Sequence, residues 1–217
     1  MKTDSQIQKD VIQELTWDPS VTHEHIGVSV LDGIVTLSGT IPSYIEKSAA
    51  ERVVQHVAGV KAIVEKIEVK LPGSQRRDDQ DIAKALISQL KWNVQVPDDA
   101  IKVSVEDAWV ELSGNVEWDY QRTAAENCAR SLIGVKGVSN YINLKGKKVK
   151  PEVIKQKIEE ALKREAEREA RRISVEVHGS KVILSGEVHS IAEMNDVKMA
   201  AWSAPGVTSV ENNIHIG

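Results

Sequence analysis

The sequence predicts an α+β protein built from three tandem α-β-β-α-β modules, and three observations carry that prediction. The tripeptide Leu-Ser-Gly occurs three times, at Leu37-Ser38-Gly39, Leu112-Ser113-Gly114 and Leu184-Ser185-Gly186. Each copy is followed twenty residues later by a second glycine, Gly59, Gly134 or Gly206. Around these marks the apolar residues switch between a spacing of two and a spacing of three and four, the periods of strand and helix. The modules are read as residues 1–72, 76–146 and 149–217.

Module 1 opens with Asp4-Ser5-Gln6-Ile7, and Ile7, Val11, Ile12 and Leu15 mark one apolar helix face that Pro19 brings to an end. Ile26, Val28 and Val30 then alternate up to Asp32-Gly33, and Val35 and Leu37 alternate after it. Asp-Gly readily supplies the positive φ angles of a two-residue turn, so this is a β-hairpin. Ser43 followed by Glu46 is a capping-box pattern, and Ala49, Ala50, Val53, Val54 and Val57 form the stripe of a second helix. Gly59 is expected to end that helix in the left-handed conformation, and Val60, Ile63, Ile67 and Val69 make the last strand.

Module 2 repeats the pattern 75 positions on, carrying Ile7 to Ile82, Val11 to Leu86, Leu15 to Leu90 and Trp17 to Trp92. Module 3 repeats it at 147, giving Ile154, Ile158, Leu162, Ile173, Val175 and Val177, but Arg164 takes the place of the two tryptophans. In module 3 the proline-containing connection is replaced by helix formers of mixed charge, Glu165 to Arg172. A single helix from about Pro151 to about Arg171 is therefore expected, roughly 30 Å long and protruding from its module. The linkers Leu71–Arg77 and Lys145–Pro151 are short and polar, so the modules are expected to touch. Modules of about 70 residues lie near the lower limit for a self-sufficient core, which points the same way.

The totals restrict the function classes. With 41% apolar and 28% charged residues the chain is of globular composition. The net charge is −4, with no strongly positive module, which disfavours a nucleic-acid partner. No run approaches a membrane span of ~18 to 20 apolar residues, nor does the start resemble a signal peptide. As it stands the sequence predicts a cytoplasmic protein, or a periplasmic one if a leader has been removed.

The Leu-Ser-Gly glycines Gly39, Gly114 and Gly186 sit where the second strand gives way to the turn, and their expected role is close backbone approach or a bulge. They form no phosphate loop, because no Gly-rich run and no Lys-Ser/Thr accompanies them. Cys128 falls in the stripe of the second helix, as a buried small hydrophobe. His23 and His25 have the spacing of two strand-side ligands, but no further residue completes a metal site. With no nucleophile beside a base and no cofactor motif, an enzyme is not expected, and no cofactor is assigned.

Features found in one module only are the candidate contacts. The start of the second helix carries Tyr44 in module 1 and Trp118 and Tyr120 in module 2, aromatic groups suited to a membrane interface or a partner, or else packed as a staple on their own helix. Lys145, Lys147, Lys148 and Lys150 form a basic linker able to meet anionic headgroups.

Taken together, the alternating strands, Leu-Ser-Gly, an alanine-rich capped helix and a closing signature resemble the BON domain, a family named for bacterial osmotically inducible and nodulation proteins. That signature reads Gly59-Val60, Ile63, Ile67 and Val69, then Gly134-Val135, Val138, Asn140, Ile142 and Leu144, then Gly206-Val207, Val210, Asn212, Ile214 and Ile216. The resemblance covers nearly the whole chain. It implies a small mixed three-stranded sheet in each module with two helices on one face, and a non-enzymatic role in osmotic or envelope stress through binding phospholipid surfaces. A scaffold or chaperone-like protein is the alternative, using open sheet edges and the long helix of module 3 to hold a partner or to self-associate.

Overall fold

The computed structural model describes residues 2–146, 149–165 and 173–217, with side chains omitted at 163–165. It contains three copies of one unit. Module 1 runs α1 (Asp4–Trp17), β1 (Ile26–Leu31), β2 (Ile34–Ile41), α2 (Tyr44–Gln55) and β3 (Ala62–Val69). Module 2 runs α3 (Asp79–Trp92), β4 (Ile101–Glu106), β5 (Trp109–Val116), α4 (Asp119–Arg130) and β6 (Gly137–Leu144). Module 3 runs α5 (Pro151–Glu165), β7 (Ser174–His178), β8 (Lys181–Val188), α6 (Ile191–Trp202) and β9 (Ser209–Ile216).

In each sheet the middle strand pairs antiparallel with its hairpin partner and parallel with the last strand. The parallel pair needs a crossover, and the second helix supplies it. Both helices pack on one face. Ile7, Val11 and Leu15 from α1 and Ala49, Ala50 and Val54 from α2 meet Val35, Leu37 and Ile67 in the core of module 1, and the other two cores repeat this.

The Leu-Ser-Gly glycines lie within the middle strand rather than at its end: β2 runs two residues past Gly39 to Ile41. Gly39 has φ +131, and a Cβ there would stand 1.9 Å from the carbonyl oxygen of His25 in the short 3₁₀ turn His23–His25. Gly114 repeats this at φ +138, 2.1 Å from the carbonyl oxygen of Ala100. Gly186 has φ +144. Close backbone approach is therefore what Gly39 and Gly114 require, and Gly186 shares their positive φ.

Several local expectations change. Ile12 lies off the stripe set by Ile7, Val11 and Leu15 and is exposed, as is its equivalent Ile87. Gly59 does not end α2; the helix stops at Gln55 and Gly59, with φ +91, shapes the turn four residues on. The Ser43–Glu46 box is half made: Ser43 Oγ accepts from the Glu46 N–H, but the Glu46 carboxylate accepts from the Thr22 N–H at 2.6 Å. At the corresponding place in module 2, Gln121 Oε1 accepts from the Trp118 and Glu117 N–H groups. The long protruding helix of module 3 is described only to Glu165, and its expected extension to Arg171 lies outside the described residues.

The hairpin turns differ in how positive φ is held. Asp32 and Gly33 have φ 53 and 78, and the Asp4 carboxylate on α1 accepts from both of their N–H groups. Asp107 and Ala108 have φ 51 and 66, and Asp79 binds both N–H groups in the same way. That clamp lets alanine occupy a left-handed position where glycine is the usual choice. Module 3 has Pro151 at the clamp position, and only Gly179 of its turn has positive φ.

Candidate binding surfaces

The second helices bring the modules together. Tyr44, at the start of α2, packs on the core of module 2, and Ile191, its equivalent at the start of α6, packs on the core of module 1. Asp119 is the equivalent residue of α4. It pairs with Arg122, whose guanidinium lies 4.8 Å above the ring of Trp202 at the end of α6, a cation–π contact between modules 2 and 3. Asn195 of α6 donates to Gln55 Oε1 at the end of α2, 3.1 Å away, and the Gly59 N–H donates to the His189 carbonyl. Through these contacts module 1 meets 2, 2 meets 3 and 3 meets 1. Head-to-tail contacts of this kind close into a ring when the third meets the first, as it does here.

Glu51 of α2 sits at the junction of modules 1 and 2. Burial pushes its carboxyl above the ordinary range, Glu65 beside it adds to the rise, and Arg130 of module 2 and Lys47 act against it.

A second set of junction features also recurs. The last strand of one module ends against the hairpin turn of the next, leaving a cleft. Between modules 3 and 1 the cleft has about 540 Å³, and Lys2, Asp4, Gly33, Lys61, His189 and Ile216 are among its lining residues. Between modules 1 and 2 it has about 550 Å³, lined by Lys70, Arg76, Arg77, Asp79, Asp107 and Lys136 among others. Arg77, Asp79 and Lys136 are the equivalents of Lys2, Asp4 and Lys61, so one architectural site is present twice. At the junction of modules 2 and 3 Gly146 lies against Gly206.

The sequence-predicted contacts are dispersed. Tyr44 is engaged between modules; Trp118 is half-buried and stacks on exposed Tyr120 with ring centroids 6.4 Å apart. Lys145 and Lys150 are exposed, and Lys147 and Lys148 lie outside the described residues. Gly134 is covered by the Arg77 stem, and Gly206, with φ +88, shapes the turn beside Gly146. Cys128 is buried, with Asn93 Nδ2 donating to its Sγ at 3.2 Å. Among the described residues no three His, Cys, Asp or Glu side chains group as metal ligands, and no helix is long and apolar enough to cross a membrane.

The surface holds groups that sequence reasoning did not single out as contacts. Trp17 and Trp92, equivalent residues at the ends of α1 and α3, are 86% and 85% exposed. Val94 beyond Trp92 is 99% exposed. Their recurrence was the available signal; it marks a shared surface position, not a core one. Trp109, on the open face of the module 2 sheet, lies flat over Gly137 and donates its indole N–H to Ser139 Oγ at 2.9 Å. That contact covers a glycine on an edge strand.

Comparison with known proteins is consistent across the chain. The sequence model of the BON domain matches residues 3–70, 78–146 and 152–217. The osmotically-inducible protein Y of Escherichia coli (strain K12) is similar, at 31% identity over 146 residues, 65% of this chain and 73% of that protein. Two structures of CdsD, a structural protein of the type III secretion system of Chlamydia trachomatis, align at 14% identity. One covers 96% of this chain and 91% of that chain at a TM-score of 0.26. The other, of the C-terminal domain, covers 100% of both at 0.28.

Proposed function

The chain belongs to the BON domain family, and on that premise we propose that it is a non-enzymatic bacterial protein of osmotic and envelope stress whose modules dock on phospholipid membrane surfaces. The link to osmotic stress rests on the name of the Escherichia coli relative. The docking role rests on Trp17 and Trp92. Neither ring contributes to a module core, yet both occupy the same place in two modules. An indole favours the boundary between water and lipid, since its ring is apolar and its N–H is polar. Moving most of one such ring out of water is worth about 3 kcal/mol. Exposed Val94 and Lys91 flank Trp92, and Tyr120, Lys145 and Lys150 add interfacial and basic groups.

Co-sedimentation with neutral and anionic vesicles at low and high salt tests this reading. Binding that persists in part at high salt is expected, because the tryptophans act by burial and only the lysines by screened attraction. No binding to either vesicle in any salt contradicts it.

A protein-binding scaffold is the second reading, favoured by the open face of the module 1 sheet. Leu31, Ile34 and Val64 are exposed there, Leu31 and Ile34 being directly paired across β1 and β2. It predicts self-association or a client complex that forms without lipid. A strict monomer by light scattering, with no client recovered, contradicts it.

A further inference from the structure

The two recurring clefts have the same frame and different charge. Between modules 3 and 1, Lys2 is engaged by Asp10 at 2.6 Å, which leaves Lys61 against two lining carboxylates, Asp4 and Asp32. Between modules 1 and 2, Arg76, Arg77 and Lys136 have no carboxylate within ion-pair distance among the described residues, and Lys70 reaches only exposed Glu68, at 3.8 Å. The carboxylate of Asp79 is held by two backbone N–H groups of the hairpin turn. Lys70, Arg76, Arg77 and Lys136 against the carboxylates of Asp79 and Asp107 leave an excess of positive charge in the lining, in a chain whose net charge is −4.

From this we propose that the cleft between modules 1 and 2 binds a multiply charged phosphate group, held by Arg76, Arg77, Lys70 and Lys136. Arg77 is fixed in place: Nη1 donates to the carbonyls of Ser74 and Arg76 at 2.9 and 2.8 Å, and its stem lies over Gly134. Its remaining donors are free for a ligand. Planar guanidinium groups give paired hydrogen bonds to phosphate oxygens, and lysines add point charges from both walls. Several cations spread over two walls suit a tetrahedral dianion better than a single carboxylate. The volume of about 550 Å³ falls in the range of small-molecule sites. Because Lys70 comes from module 1 and Lys136 from module 2, the ligand bridges the two modules. The tryptophans take no part, so this site stands or falls separately from the membrane reading.

The phosphate can belong to a soluble molecule or to a lipid headgroup. Inorganic pyrophosphate is titrated calorimetrically into the full chain at low salt, and flotation with phosphatidic-acid vesicles is run in a Trp17→Ser/Trp92→Ser background. One saturable site is expected, weakened at least about tenfold in Arg76→Gln/Lys136→Gln by loss of charge-assisted bonds. Lys61→Gln, at the other cleft, is expected to bind as the parent does, and all variants to keep the parent unfolding transition. Dependence on Arg76 and Lys136 with pyrophosphate identifies a soluble ligand; the same dependence with vesicles alone identifies a headgroup. Absence of saturable binding in both arms, or an equal loss in Lys61→Gln, overturns the proposal.

Discussion

Modules 1 and 2 differ from module 3 at the surface while all three agree in the core. The buried positions correspond throughout: Val35, Val110 and Val182 on the middle strands, and Leu37, Leu112 and Leu184 two residues on. The surface positions agree only in the first two. Asp4 and Asp79 clamp their hairpin turns, where module 3 has Pro151. Lys61 and Lys136 face the clefts, where module 3 has Thr208. Trp17 and Trp92 stand in water, where module 3 has Arg164. Three copies of a core make a fold, and two copies of a surface point to work done by modules 1 and 2, with module 3 closing the ring.

The sharpest way to break the shared core is Gly39→Val or Gly114→Val. Each puts a Cβ about 2 Å from a carbonyl oxygen at positive φ, and strain plus overpacking is expected to cost about 4 kcal/mol in denaturant unfolding. An unchanged midpoint would remove the close approach as the reason for the motif.

Smaller effects should separate modules 1 and 2 from each other. Asp79→Ala is expected to cost about 2 kcal/mol, because the clamp satisfies two N–H groups and also holds Ala108 left-handed. Asp4→Ala should cost about 1 kcal/mol, since Gly33 reaches its φ without help. Ala108→Gly should then recover part of the Asp79→Ala loss, measured in the same unfolding experiment. Equal losses for the two aspartates would mean that the turn residue does not matter.

The smallest effect concerns pH at the junction of modules 1 and 2. Glu51 is raised from 4.5 in the folded chain, so the folded state holds its proton longer than the unfolded state. Its contribution is present below the unfolded value and is lost as pH rises through the folded one. Glu51→Gln should therefore flatten the fall in stability above about pH 4.5 and leave the acid side unchanged. Asp18, lowered by its hydrogen bonds from Ser20, works in the opposite sense, losing its contribution as pH falls. Parallel pH profiles for the parent and Glu51→Gln would remove Glu51 as the cause.

The order of elements was legible because periodicity and turn residues are local, and an internal repeat checks each against two others. The ring was not, because Tyr44, Ile191 and Trp202 reach their partners across module boundaries that no spacing encodes. Ile12 shows the limit within one helix: it is apolar and three residues before Leu15, yet the stripe of Ile7, Val11 and Leu15 already fills the face. The exposed recurring tryptophans were not legible for a related reason. The aromatic groups at helix starts stand out because each is unique to one module, whereas the recurrence of Trp17 and Trp92 does not by itself tell a surface position from a core one. Arg76, Arg77 and Lys136 come together only when the linker folds back on module 2, about 60 residues away in sequence.

The account turns on whether the recurring tryptophans are the docking groups. Vesicle co-sedimentation of Trp17→Ser/Trp92→Ser, with Trp109→Ser as the exposed tryptophan found in one module only, tests this most directly. The prediction is a loss of at least about tenfold in partitioning for the double variant, with Trp109→Ser binding like the parent and the unfolding transition of the double variant unmoved. Equal partitioning of the parent and the double variant, or a loss confined to Trp109→Ser, would contradict it.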